Sequence, residues 1–434
     1  MKSGEKSLDR YSVEEAHQFY QQAFEILAAK TKKSNEEEVI LIDLLNSWGY
    51  VYYYLGDFKE FTALFAANRD LAESLGDDER LGMFYVWLGI ADSMSGRAKD
   101  GYEYLIKAKN LGQKCGNRKI EGYACTWLSW NCADLGLYDE GLRHGERAQQ
   151  IAKDFPADQY LFFKSLAGLA FVYSFMGLPR KAVECGKILL EHGRKYSNSR
   201  SNVMGHYAMS MGYAIAGDFE ACIKSSRQAI AVSKDPFYSK FPAVAMNLAY
   251  ALDGQYEKVL ETQQELVEFC EKYEIGELLI YENIIRGAAL VASGWMDQGL
   301  KIIEESRQTS SKNGRRTPLA ISEYVLGMIY SQIATGPKPK LSIMAKNVGF
   351  LMKNVPVASK KAEAHYQKAI ELSEEIGANG YRGISYLGLG QFYQARKKTD
   401  KARQYIGRAI EILEQCQAEQ YLQKAKDALT SLGD

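Results

Sequence analysis

Two stretches of the chain decide its fold: SWGYVYYYLGDF at residues 47–58 and AMSMGYAIAGDF at residues 208–219. Each carries a small residue (Gly49, Ser210), a tyrosine three positions on (Tyr52, Tyr213) and a glycine seven positions on (Gly56, Gly217), and closes on Asp-Phe. The glycine recurs as Gly56, Gly96, Gly136, Gly177, Gly217, Gly254 and Gly294, at a nearly constant step. A fixed period of this size marks a stack of like units, each burying its apolar face against its neighbours. An apolar run that ends at glycine predicts a helix stopping in a tight turn, because glycine takes positive φ at no steric cost.

Working outward, the small position returns at Gly89, Ser129, Ala170, Asn247, Gly287, Gly327 and Gly390, and the tyrosine at Tyr173, Tyr250, Tyr330 and Tyr393. Beyond each turn a second small position follows, as Gly101, Gly141, Ala182, Cys222, Gly299, Ala362 and Ala402, with Ala108, Ala148, Ala229, Ala369 and Ala409 seven positions later. Small residues there let two helices approach while the aromatic fills the space between them. This pattern resembles the tetratricopeptide repeat over nearly the whole chain, with a period of about 40 residues rather than about 34. The resemblance implies an all-α, right-handed superhelical solenoid of tetratricopeptide-like helix pairs. Further glycines (Gly76, Gly116, Gly314, Gly377) stand where the second helices should end.

The expected organisation is one solenoid over residues 1–434: an orphan second helix at about 12–30, nine helix pairs at about 36–416, and a capping helix at about 417–432. Ser12-Val-Glu-Glu15 has the form of a capping box opening the first of these. The partner of that helix would begin upstream of Met1, as in a piece of a longer ancestral architecture. The step from Gly327 to Gly390 exceeds one repeat by more than half a unit, which places an insertion at about 335–358 in the eighth pair. Between Glu323 and Glu363 there are six lysines (338, 340, 346, 353, 360, 361) and no acid. Leu341, Met344, Val348, Leu351 and Val355 fall at helical spacing, which predicts an amphipathic helix. It would pack on the solenoid flank, or meet an acidic partner or a membrane surface through 338–361.

Composition excludes several classes of function. Lys+Arg and Asp+Glu are both 54, so no net basic charge favours nucleic acid. Mean hydropathy is −0.31, and no uncharged apolar run is long enough for a membrane span or the core of a signal peptide. The seven cysteines (115, 125, 132, 185, 222, 270, 416) are scattered without C-x-x-C, as expected of small buried hydrophobes in a reducing cytoplasm. The five histidines lie in different repeats, no phosphate loop occurs, and Gly388-x-Gly390 sits on the repeat's own small position. No catalytic constellation, metal site or cofactor motif emerges, so an enzyme is not expected.

The segments MAKNVGFLMKNVPVASKKAEAHYQKAIE (344–371) and EQCQAEQYLQKAKDALTSL (414–432) carry a narrower likeness. They resemble the C-terminal repeat region of bacterial signalling proteins that bear a class III adenylate/guanylate cyclase domain and an AAA-type ATPase domain. The catalytic parts of those proteins have no counterpart here. The resemblance implies a non-catalytic scaffold or sensor in signal transduction, acting on a separately encoded cyclase or ATPase effector.

Tetratricopeptide arrays bind on a concave surface lined by their first helices. Read off by register, that lining comprises Tyr50, Tyr53, Tyr54, Trp87, Trp127, Trp130, Phe171, Phe175, Tyr207 and Met211. It is aromatic and aliphatic, unlike a carboxylate clamp. Two readings stay open: a tightly wound superhelix buries these rings between helices, or they form an apolar groove for a helix or peptide. A regulatory module that senses a small apolar ligand or peptide is the alternative function.

Overall fold

The computed structural model describes residues 2–337 and 341–433; Lys338 and Lys340 of the lysine-rich insertion lie outside them. Among the described residues the chain forms twenty-two helices and no strand. An opening hairpin, α1 (Lys2–Asp9) and α2 (Val13–Ala28), precedes the array. The first pairs are α3 (Asn35–Leu55) with α4 (Phe58–Ser74), α5 (Asp78–Met94) with α6 (Ala98–Lys114), and α7 (Arg118–Leu135) with α8 (Tyr138–Ala152). Next come α9 (Gln159–Met176) with α10 (Pro179–Lys195), α11 (Ser199–Ala216) with α12 (Phe219–Val232), and α13 (Lys240–Leu252) with α14 (Tyr256–Lys272). The array continues as α15 (Gly276–Ala292) with α16 (Met296–Lys312), then α17 (Arg316–Thr335), the short α18 (Leu341–Lys346) and α19 (Val348–Ile376). It ends with α20 (Asn379–Ala395), α21 (Thr399–Gln415) and α22 (Glu419–Thr430).

All seven phased glycines have positive φ, between 76° and 88°. Small residues pack where the pattern puts them: a Cβ on Gly49 would lie 2.4 Å from the Trp87 ring, and one on Gly89 would lie 2.7 Å from Leu105. The capping box is at Ser34–Glu37, at the start of α3. Ser12 caps α2 without a side-chain hydrogen bond, and the Glu15 carboxylate accepts one from the Ser7 hydroxyl on α1. Six cysteines are buried and Cys115 is exposed, so the expectation of a buried thiol fails there.

The superhelix is wound so tightly that successive turns touch. Gly56 meets Phe237, Gly96 meets Gly276, and Gly136 meets Arg316, all at nearly the same separation along the chain. Gly177 meets Gly380 and Gly217 meets Gln420, at a separation longer by about the length of the insertion. The insertion therefore leaves the superhelical register intact. Backbone hydrogen bonds cross the same seam, from Phe237 N–H to the Tyr54 carbonyl (3.3 Å) and from Lys59 N–H to the Tyr273 carbonyl (3.1 Å).

These close approaches give a prediction. Gly177 and Gly254 both have positive φ, 78° and 76°. A Cβ on Gly177 would lie 2.5 Å from the Gly380 nitrogen, whereas one on Gly254 would meet nothing within 4 Å. Gly254→Ala should therefore cost only the backbone penalty of roughly 1–2 kcal/mol. Gly177→Ala should cost distinctly more, because it also prises apart two superhelical turns. Equal shifts in thermal midpoint would mean that the turns are not in firm contact.

The insertion differs from its sequence pattern. Only Leu341–Lys346 forms a separate helix, and the rest merges into α19. The face turned inward carries Ile343, Asn347, Phe350, Asn354 and Ala358; of the predicted stripe, Met344 and Leu351 are half-buried, whereas Leu341 is 84% exposed and Val348 and Val355 are about half exposed. The phase of α19 is set further along by Ala358, Ala362, Tyr366 and Ala369, which pack in the array. A rigid helix propagates that phase backward. The two buried asparagines satisfy themselves on the preceding turn, and Asn347 also donates to the Gly294 carbonyl at 2.8 Å.

Candidate functional site

The ten residues predicted from register all lie on first helices. Nine are buried and Tyr50 is half-buried. They do not form one open wall. Contact between superhelical turns divides them into three groups along the interior.

The first group opens to solvent. Tyr50 and Tyr54 line a chamber of about 950 Å3 together with Tyr123, Tyr160, Tyr11 and Arg200. Tyr50 donates to the Tyr123 hydroxyl (2.6 Å), which donates to Asp158 (2.9 Å). Arg200 is held by Asp235 through two 2.8 Å bonds and lies over the rings of Tyr54 and Tyr11.

The second group is closed. Tyr53, Trp127 and Trp130 surround the side chain of Lys164, which has no exposed surface. Its Nζ donates to the Tyr53 hydroxyl at 2.6 Å and lies 4.1 Å from the centre of the Trp130 ring and 4.7 Å from that of Trp127. Tyr238 and Phe241, just before and at the start of α13, complete the enclosure. Burial holds the Lys164 ammonium well below its ordinary pKa, opposed by Glu277. Trp87 is packed nearby against Tyr50 and Phe61.

The third group lines a cavity. Phe171 and Phe175 of α9, Tyr207 and Met211 of α11, Leu248 of α13 and Tyr281 of α15 enclose an apolar space of about 70 Å3. Leu252, Tyr324 and Met328 also line it and, like Leu248, are half-buried. That volume is room for several water-sized groups, and an apolar lining offers water few partners. One acid, Glu277, stands in this lining. It is 6% exposed, and its Oε2 has no hydrogen-bond partner. Burial pushes its carboxyl up to about 7; Asp134 pushes the same way, while Arg315 and Lys164 oppose.

Behind the cavity a buried ion pair ties the first superhelical turn to the second. Arg315 donates through Nε and Nη2 to Asp134 at 2.5 and 2.9 Å, and through Nη1 to the Gly276 carbonyl at 3.0 Å. Tyr281 donates to Asp134 at 2.8 Å, and Thr317 to the Ala133 carbonyl at 2.6 Å. Register reasoning missed Lys164, Glu277, Asp134 and Arg315. Lys164 did leave a signal, as the single charged residue of α9. The others are surrounded by ordinary helix-end polarity and become internal only when the superhelix closes. Among the described residues no helix is long and apolar enough to cross a membrane, and no group of His, Cys, Asp and Glu has metal-binding geometry.

A tetratricopeptide repeat family matches residues 359–415, the end of α19 with α20 and α21. No curated protein matches the sequence. Among solved structures, the Rap protein complexed with Competence and Sporulation Factor is similar over 86% of this chain and 96% of that one, at 12% identity and a TM-score of 0.56. Yeast Tom70 aligns over 99% of this chain and 95% of its own at 12% identity, but with a TM-score of only 0.31. The Rap likeness is one of fold: a superhelical solenoid of tetratricopeptide-like pairs.

Proposed function

We propose that this chain is a non-catalytic binding module whose interior receives an apolar side chain of a short peptide, or a small apolar ligand. The observation that carries this reading is the apolar cavity built by Phe171, Phe175, Tyr207, Met211, Leu248 and Tyr281 from four successive first helices. An α-helix measures roughly 10–12 Å across with its side chains, so a cavity of about 70 Å3 favours one side chain or an extended segment over a docked helix. Ligands of this kind bind sites that are concave, mostly apolar and largely preformed. A solenoid of the same fold, the Rap protein, is complexed with Competence and Sporulation Factor; only the general idea of a ligand-receiving solenoid is carried over. The likeness to bacterial signalling proteins makes cytoplasmic signal transduction the proposed setting. A separately encoded cyclase or ATPase is the proposed effector.

Filling the cavity tests this reading. Ala288 lines it and is small. Ala288→Leu should keep or slightly raise stability, since added methyl groups enter existing space rather than a packed core. The same change should abolish enrichment of short apolar peptides from a random library passed over the protein and identified by mass spectrometry. Absence of any enrichment, or enrichment indifferent to the substitution, would overturn the proposal.

A further inference from the structure

The cavity's lining is apolar except at one place, and that exception specifies its occupant. Glu277 sits in the first turn of α15, contributes to the cavity lining, and leaves its buried Oε2 without a partner. A buried polar atom left unpaired costs about 1–3 kcal/mol, so native proteins leave few of them. The neighbouring charges do not remedy the defect. Arg315 spends its Nε and Nη2 on Asp134 and its remaining reach on the backbone carbonyls of Gly276 and Glu277. Lys164 donates to Tyr53 and is enclosed by rings. Tyr281, one turn along the same helix, donates to Asp134.

We infer that the cavity takes an apolar molecule carrying a primary ammonium group, with Glu277 as the counter-ion of that ammonium and the Phe171–Phe175–Tyr207 wall as the seat of its apolar part. This deepens the binding reading above and rests on it. Arg315 and Asp134 cancel each other, and Lys164 is disfavoured as a cation, so Glu277 is the odd charge of the cluster. An incoming ammonium pairs it; an incoming anion would place two like charges side by side. The free amine of a peptide with an apolar first residue, or an aliphatic amine, has the required chemistry.

The pH behaviour follows with a definite sign. The Glu277 carboxyl is pushed up to about 7, by burial first and by Asp134 second. An aliphatic amine remains protonated to about pH 10. Between about pH 6 and 8 the charge of an aliphatic amine therefore stays fixed while the carboxyl ionises, and its affinity rises with pH; a peptide α-amine, which titrates at about 7.7–8.0, gains less towards pH 8.

The test uses isopentylamine, isopentyl alcohol and isovalerate as probes, titrated into the full chain by ligand-observed NMR. At pH 8 the amine should bind about tenfold or more tighter than the alcohol, the margin expected of a hydrogen bond to a charged group, and isovalerate should bind least. The advantage should shrink towards pH 6 in the unaltered protein, a readout that needs no variant. Glu277→Gln should bring the amine down to the level of the alcohol and flatten the pH profile. Equal binding of amine and alcohol at pH 8, or a pH dependence that survives Glu277→Gln, would overturn the inference while leaving the apolar cavity standing. Binding of no probe, or binding unchanged by Ala288→Leu, would remove the cavity reading itself and this inference with it.

Discussion

Arg315→Ala should destabilise the protein by about 3–5 kcal/mol, the cost of breaking a buried ion pair and leaving one charge behind. Arg315 and Asp134 are 1% and 5% exposed at their side chains, and no water-facing alternative exists for the orphaned carboxylate. The pair joins the end of α7 to the start of α17, far apart along the chain, so the damage should not stay local. Hydrogen exchange should quicken together in α7, α15 and α17, while α3 and α4, remote from the pair, change less. The double variant Arg315→Met with Asp134→Leu should recover much of the loss, because an apolar pair avoids the desolvation of two ions. Loss confined to the amides next to Arg315 would mean that the second superhelical turn is held by the glycine contacts alone.

This closure marks the boundary of what the sequence could tell. The repeat was legible because it is local: a glycine at positive φ after an apolar run, and small residues a fixed number of positions away, each answer to contacts within one or two helix pairs. Register likewise assigns Tyr53, Trp130, Phe171 and Tyr207 to one face of the first helices. Whether that face is a groove or a core depends on superhelical pitch, which brings together residues a full superhelical turn apart and leaves no trace within any single repeat. The contacts of Gly56 with Phe237 and of Gly177 with Gly380 belong to this class. So does the contact of Tyr53 with Tyr238 that helps to enclose Lys164. The insertion failed differently. Its apolar residues were read in isolation, whereas the rotation of α19 is dictated by Ala358, Ala362 and Ala369, which pack further along the same helix.

Trp130→Ala should cost about 3–5 kcal/mol of folding stability, as loss of a large core aromatic does, while leaving binding per folded molecule unchanged. The ring is 4% exposed, stacks on Phe171 at 4.9 Å and donates through Nε1 to the Lys164 carbonyl at 3.1 Å. It borders neither the tyrosine chamber nor the apolar cavity. Its removal does something a simple cavity would not. Lys164 loses the ring that lies 4.1 Å from its Nζ and that forms one side of its apolar enclosure. The vacated space admits water to a side chain that burial had kept below its ordinary pKa. Lys164 should then titrate closer to a normal lysine and become open to reductive methylation, whereas in the unaltered protein it should resist the reagent. Trp130→Phe separates the two effects: it keeps a ring over Lys164 Nζ and loses the Nε1 bond, so it should destabilise less and leave Lys164 protected. A mild loss of stability with weakened ligand capture would instead return Trp130 to the binding surface, and with it the open groove that its position in the repeat first suggested.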